Sequence, residues 1–275
     1  MAITMYDSAM LYFIKTENQR ETAYIYNNMG IAYSDMHLHL QAIENYLKAE
    51  SIYTKLKQTR SISNINNNIG TLYFELGAYE QAYTYYNKAL HIAQQNQDKK
   101  SLLTLSNNIG AFYYETGYND SAMSFYEESR KLALELSDDL GLADASINIG
   151  NIFLEQNKAD SALKYFTVAN KIYTLFGRNT GRSSLGIARV FHRFGKINQA
   201  YSKLNKAFDE AKQKNDVELQ REVLQEMVLL QESKGDILEA YRLLNEFIRL
   251  DNEIRSRFDS TAISSLQARY QVKQK

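Results

Sequence analysis

The chain has 275 residues, with 32 Lys and Arg against 32 Asp and Glu, and contains neither proline nor cysteine. Zero formal net charge argues against a bulk electrostatic partner such as DNA or an anionic membrane surface. The missing cysteine excludes disulfides, thiol catalysis and Cys-ligated metal, and no run of about 18 apolar residues reads as a membrane span. The balance conceals an asymmetry: residues 1–177 carry 14 basic and 19 acidic residues, and residues 178–275 carry 18 and 13.

In chain order, Asp7, Ser8, Ala9 and Met10 echo Asp120, Ser121, Ala122 and Met123, so residues 7–19 read as a lone second helix without its partner. Two-helix units are then predicted over 22–58, 62–98, 102–137, 141–177, 180–215 and 217–255, and residues 259–275 read as one more helix. A strict repeat organises this series. A glycine recurs at Gly30, Gly70, Gly110 and Gly150, and an alanine twelve places later at Ala42, Ala82, Ala122 and Ala162, a period of 40 residues. In the copy at 61–93, Ile69, Tyr73 and Leu76 fall on one arc at helical spacing, the face a first helix must bury. Gly77 suits the left-handed residue that ends such a helix, and Asn157 stands at the matching place of the fourth copy. Gly70 and Ala82 predict close approach of the paired helices. Units five and six lose the motif glycine to Ala188 and Val228, and the fifth is two residues shorter. The glycines of Gly177-Arg178-Asn179-Thr180-Gly181 mark the expected place for a joint or a change of pitch. A single helical hairpin leaves too much apolar surface exposed, whereas stacked copies bury one another's faces.

The residues Gly70, Tyr73, Gly77, Ala82, Tyr86 and Ala89 give the unit a resemblance to the tetratricopeptide repeat (TPR), whose usual period is about 34 residues. The longer period here resembles the long-helix variants of peptide-binding and scaffold proteins. The family's inter-repeat proline is absent. The resemblance implies an all-α fold, a right-handed TPR superhelix or α-solenoid, with a concave groove lined by the first helices. It also implies a protein or peptide ligand in that groove.

No catalytic constellation and no cofactor-binding motif stands out, so the chain reads as a non-enzyme without cofactors. His37 and His39 read as a polar turn rather than a metal site, since no third ligand is visible nearby. The groove candidates are asparagines at two and three places before the motif glycine: Asn28, Asn68, Asn108 and Asn148, and Asn27, Asn67 and Asn107. A carboxamide can donate to and accept from a peptide backbone at once. The same asparagines could instead bond to the adjacent repeat and serve stacking. Asp35, Glu75, Glu115 and Glu155 give the groove an acidic edge at helix C-termini, an unfavourable place for a carboxylate. Unit five replaces this pattern with Arg182, Arg189 and Arg193, which helical geometry puts on the groove stripe. Planar guanidinium groups suit carboxylates and phosphates. The competing reading is internal pairing with Glu155, Glu222 or Glu226.

The last stretch, residues 257–275, weakly resembles the segment closing TPR sensor regions of Bacteroidetes-type two-component and regulator proteins. That resemblance implies an extracytoplasmic sensor cut from a longer signalling chain, reaching the membrane only through a segment beyond Lys275. The alternative is a free cytoplasmic TPR adaptor or peptide-responsive regulator. Direct nucleic-acid binding is not expected of either.

Overall fold

The structure, a computed structural model, describes residues 18–254; the lone helix expected at 7–19 falls almost wholly outside that range, as does the helix expected at 259–275. Among the described residues there are helices and turns and no strand. The helices are α1 (Gln19–Asp35), α2 (His39–Lys55), α3 (Thr59–Glu75), α4 (Tyr79–Gln95), α5 (Lys99–Glu115), α6 (Asn119–Leu136), α7 (Asp139–Glu155), α8 (Ala159–Leu175), α9 (Gly181–Arg193), α10 (Ile197–Lys214), α11 (Val217–Lys234) and α12 (237–254). Odd-numbered helices open the hairpins and even-numbered helices close them.

Local chemistry sets these boundaries. Four first helices start on a side-chain cap: Asn18, Asp98, Asp138 and Asp216 accept from the amides of Glu21, Ser101, Gly141 and Leu219 at 3.3, 3.3, 3.0 and 3.0 Å. Such caps satisfy amides that the first turn leaves without partners. At the other end the chain enters the left-handed region, at Gly77 (φ 70°), Gly117 (84°), Gly195 (68°) and Gly235 (81°), and also at Asn157 (58°) and His37 (56°). The next amide then reaches back to a carbonyl five residues earlier, as from Ala78 to Tyr73 at 2.8 Å and from Lys158 to Phe153 at 2.8 Å. This is the Schellman closure of a helix. Leu76, placed on the buried arc by sequence periodicity, is 46% exposed. It is the C-cap residue of α3, so the helical arc has already ended there.

The motif glycines have a more specific role than close helix approach. A Cβ on Gly70 would lie 2.8 Å from the ring of Tyr86, and one on Gly30 or Gly110 would lie 2.6 Å from the ring of Tyr46 or Tyr126. Gly150 meets Phe166 in the same way, at 2.8 Å. Each of the first four units therefore seats an aromatic ring of its second helix, sixteen residues on, against bare backbone of its first. These rings are 0–3% exposed. A second aromatic contact repeats as well: Tyr73 stacks on Tyr85, Tyr113 on Phe125 and Phe153 on Tyr165, with centroids 5.5–5.6 Å apart.

The described residues pack as two compact units, 18–109 and 110–254. In the first, Ala42, Tyr46, Ala49 and Tyr53 of α2 pack with Ala23 of α1 and with Ile65, Ile69 and Leu72 of α3. In the second, one cluster centres on Phe166, which packs with Ala162, Ala169, Ile187 and Val190. Another joins Leu204 and Ala207 of α10 to Leu219, Val223 and Leu230 of α11. The glycine-flanked stretch at 177–181, expected as a joint, is tied down instead. The Thr180 amide and hydroxyl donate to the two Glu210 carboxylate oxygens at 2.6 and 2.8 Å. The Asn170 carboxamide donates to Ser183 Oγ at 2.9 Å, and Ser183 and Ser184 are fully buried. Both glycines serve tight geometry there: Gly177 has φ 60°, and a Cβ on Gly181 would lie 2.6 Å from Leu219.

Candidate functional site

In the second unit, first helices line a cleft of about 540 Å³. Tyr114 comes from α5, Asn151, Leu154 and Glu155 from α7, Arg189, His192 and Arg193 from α9, and Glu226 and Leu229 from α11. Counted from the motif glycine or its replacement, these residues sit at +1, +4 and +5, with Glu226 at −2. One face of successive helices therefore supplies the lining. The volume lies within the roughly 300–1,000 Å³ of small-ligand sites.

The charges in the cleft are held unequally. Both Glu155 oxygens are occupied: Tyr114 donates its hydroxyl to one, and Asn119 Nδ2 donates to the other at 3.2 Å. Burial, reinforced by the Glu155 carboxylate, pushes the Tyr114 hydroxyl well above its ordinary pKa, so it stays a donor. Glu226 accepts from or donates to His192 Nδ1 at 2.9 Å, depending on protonation, and the other imidazole nitrogen lies 3.2 Å from Ser233 Oγ. Arg189 sits between two carboxylates, with Nη2 3.5 Å from Glu222 and Nε 3.5 Å from Glu226. These contacts are longer than the roughly 2.7–2.9 Å of a charge-assisted bond. Arg193 donates Nη1 to the Asn157 carboxamide oxygen and forms no ion pair among the described residues. Arg182 does not line the cleft; it lies 3.7 Å from both Asp216 and Glu222 and is exposed.

Of the ten residues singled out by sequence, the cleft thus brings together Arg189 and Arg193. His192, Asn151, Leu154 and Leu229 were not singled out. Their signal lay in the repeat offsets, because His192 stands at the same +4 place as Tyr114, and Asn151 and Leu229 at the same +1 place as Arg189.

The asparagines of the first unit are engaged with one another. Asn108 Nδ2 donates to Asn67 Oδ1 at 2.9 Å, joining α5 to α3. Asn67 Nδ2 in turn lies 3.4 Å from Asn68 Oδ1. Asn68 hydrogen-bonds the Tyr46 hydroxyl, whose pKa is nevertheless pushed up to about 12 by burial. Asn27, Asn28 and Asn107 are half-buried, and Asn148 of the second unit is half-buried on α7. Near these groups, His39 Nδ1 is buried without a hydrogen bond, 3.6 Å from Glu75. Burial lowers the His39 pKa and raises that of Glu75, each disfavouring the charged form. Among the described residues no group of three or more His, Cys, Asp or Glu could hold a metal ion, and no helix is long and apolar enough to cross a membrane.

The tetratricopeptide repeat model matches residues 61–132 and 101–174, over the copies with the strictest glycine–ring geometry. The chain is a tetratricopeptide repeat protein. A second model, described as anaphase-promoting complex subunit 5, matches residues 156–234 and 192–259 of this TPR chain. No curated protein matches it by sequence. Its all-α solenoid fold is shared with solved structures at low identity. The Rap conjugation gene regulator of plasmid pLS20, in complex with the Phr* peptide, superposes with a TM-score of 0.65 at 18% identity, over 88% of this chain and 77% of that one. A Pyrococcus horikoshii signal transduction ATPase with a tetratricopeptide repeat sensor gives 0.69 at 15% identity, over 90% of this chain and 38% of that one. Aspartyl phosphate phosphatase F from Bacillus subtilis gives 0.63 at 17% identity, over 96% and 74%.

Proposed function

We propose that this TPR chain is a non-catalytic scaffold that binds a protein or peptide ligand, and that it is the ligand-sensing region of a bacterial signal-transduction protein. The cleft of the second unit carries the reading. Four first helices converge there on cationic, carboxamide, phenolic and apolar side chains within one ligand-sized volume. A peptide needs that mixture: donors for an acidic group, a carboxamide for its backbone, and apolar walls for a side chain. Arg189 and Arg193 would take the acidic group, with Arg182 acting at the edge through Glu222. In the first unit, Asn67, Asn68, Asn107 and Asn108, with Asn27 and Asn28, form a separate carboxamide face suited to a main chain, as does Asn148 in the second. The Phr* complex and the TPR sensor of the ATPase support a peptide-binding and sensing use of this fold. Under this reading the chain acts outside the cytoplasm. A free cytoplasmic adaptor or peptide-responsive regulator is the second reading, supported by the likeness to a Rap regulator solved with a peptide.

Probing an array of short synthetic peptides of randomised sequence with the purified chain tests the proposal. The expected result is retention of peptides enriched in acidic residues, with retention lost on Arg193→Ala. No peptide retained above background by the unaltered chain would count against it.

A further inference from the structure

We propose that the cleft of the second unit is a carboxylate-recognition site and that Glu226 is its built-in competitor, a carboxylate of the chain itself occupying the seat that a ligand's carboxylate would take. This rests on the peptide-binding reading and goes further, by naming the chemistry recognised and the residue that gates it.

The argument starts from the repeat columns. At two places before the motif glycine, units one to four carry Asn28, Asn68, Asn108 and Asn148; unit six carries Glu226. A neutral carboxamide is thus replaced by an acid in the unit that faces the arginines. The Glu226 side chain is 12% exposed, with its oxygens 3.5 Å from Arg189 Nε and 2.9 Å from His192 Nδ1. It therefore sits between a guanidinium and an imidazole of the cleft.

The seat is filled but poorly matched. A carboxylate that suits a guanidinium forms two parallel short bonds. Arg189 instead has single 3.5 Å approaches to two different glutamates, and its side chain remains 29% exposed. Arg193 has no carboxylate at all among the described residues, and one of its nitrogens is committed to Asn157. Among the charged groups that line the cleft, Arg189 and Arg193 face two carboxylates, Glu155 and Glu226. Glu155 is spoken for by Tyr114 and Asn119, so Glu226 is the acid that can be displaced. A ligand carboxylate could form bidentate bonds that Glu226 does not. Leu154 and the 47% exposed Leu229 would then lie beside an apolar group attached to it. The ligand class is a carboxylate next to an apolar group. It could be the free C-terminus of a peptide ending in an apolar residue, or an acidic side chain beside one.

The test uses three tripeptide probes: acetyl-Ala-Ala-Leu with a free C-terminal carboxylate, its C-terminal amide, and acetyl-Ala-Asp-Leu amide. Calorimetric titration compares the unaltered chain with Glu226→Gln, which keeps the side-chain shape and a hydrogen-bond partner for His192. Tighter binding of at least one acid-bearing probe by about tenfold or more, with no gain for the fully amidated probe, is the expected result. Which acid gains distinguishes a terminal from a side-chain carboxylate. Arg189→Gln in the Glu226→Gln background should remove the gain, because Arg189 is the guanidinium that Glu226 occupies. Equal gain for the amidated probe, or no gain for either acid, would overturn the proposal. If Glu226→Gln does not fold, NMR of the unaltered chain decides instead. Millimolar free-acid tripeptide should shift the Arg189 guanidinium resonances while the amide does not, and unshifted resonances would overturn the proposal. A gain seen with these probes while the randomised array retains nothing would sink the peptide-scaffold reading and leave the carboxylate site standing.

Discussion

Gly150→Ala isolates the packing rule that defines this fold. A Cβ at this position would lie 2.8 Å from Phe166 Cε1 and 3.0 Å from both Cδ1 and Cζ. The ring cannot retreat far, because a Cβ on Gly186 would approach the same Cδ1–Cε1 edge to 2.5 Å, showing how closely α9 already presses it. Phe166 is fully buried, among Ala162, Ala169, Ile187 and Val190. Overpacking a core by one methyl costs about 1–3 kcal/mol, and replacing glycine by alanine inside a helix recovers about 0.8–1 kcal/mol. The two ranges leave a net loss of about 0–2 kcal/mol, toward the upper end because the ring is already pressed from a second side. Urea denaturation followed by circular dichroism at 222 nm reads this as a lower midpoint. Phe166→Leu in the same background should relieve the clash, so the double variant should be more stable than the two single losses added together. The coupling should be at least ~0.5 kcal/mol. A Gly150→Ala chain as stable as the unaltered one, with Phe166 in place, would refute the ring-on-glycine account.

Two further predictions address the loop and the buried histidine. Glu210→Gln removes the charge from the two bonds that hold Thr180; bonds to a charged group contribute about 1.5–3 kcal/mol, so hydrogen exchange of the Thr180 amide should quicken at least tenfold, whereas an unchanged rate would show that the loop is held by other means. Burial lowers the folded-state pKa of His39 below its ordinary 6.5, so between those two values the unfolded chain binds more protons and stability falls as pH drops; His39→Gln should flatten the stability profile in that window, and an unchanged slope would count against it.

The sequence carried the architecture because the repeat is strict where it matters. Gly30, Gly70, Gly110 and Gly150 announce the helix pairs, and Gly77 and Asn157 announce helix ends that the backbone confirms. What periodicity could not supply was the contact behind the glycine. Gly70 and Ala82 predict a close approach of the paired helices, but that the group resting on Gly70 is the ring of Tyr86 is not legible, because a helical wheel shows faces and not which partner fills them. At 177–181 two glycines and a shortened unit suggest a joint or a change of pitch, and the carboxylate that fixes Thr180 is not legible locally because it lies thirty residues away, at Glu210. In the cleft, Arg189 and Arg193 were visible as a break in an otherwise acidic and amide-rich pattern. Glu226 was visible as a pairing partner for the arginines, whereas His192 was harder to see because unit five has lost the motif glycine that sets the count. The Asn108–Asn67 bond illustrates the remaining gap, since a carboxamide column looks the same whether it faces a ligand or its neighbour.

The most direct test of the central claim is the affinity of a peptide retained from the array, measured for the unaltered chain, Arg189→Ala and Arg193→Ala, alongside their helix content and melting. Each lost charge-assisted bond is worth roughly 1.5–3 kcal/mol, so both variants should bind about tenfold more weakly or worse with full helix content. Arg193→Ala, which breaks no ion pair among the described residues, should also melt like the unaltered chain. Unchanged affinity in both variants, with Arg189→Ala melting earlier, would show the arginines to be internal ion-pair partners and contradict the account.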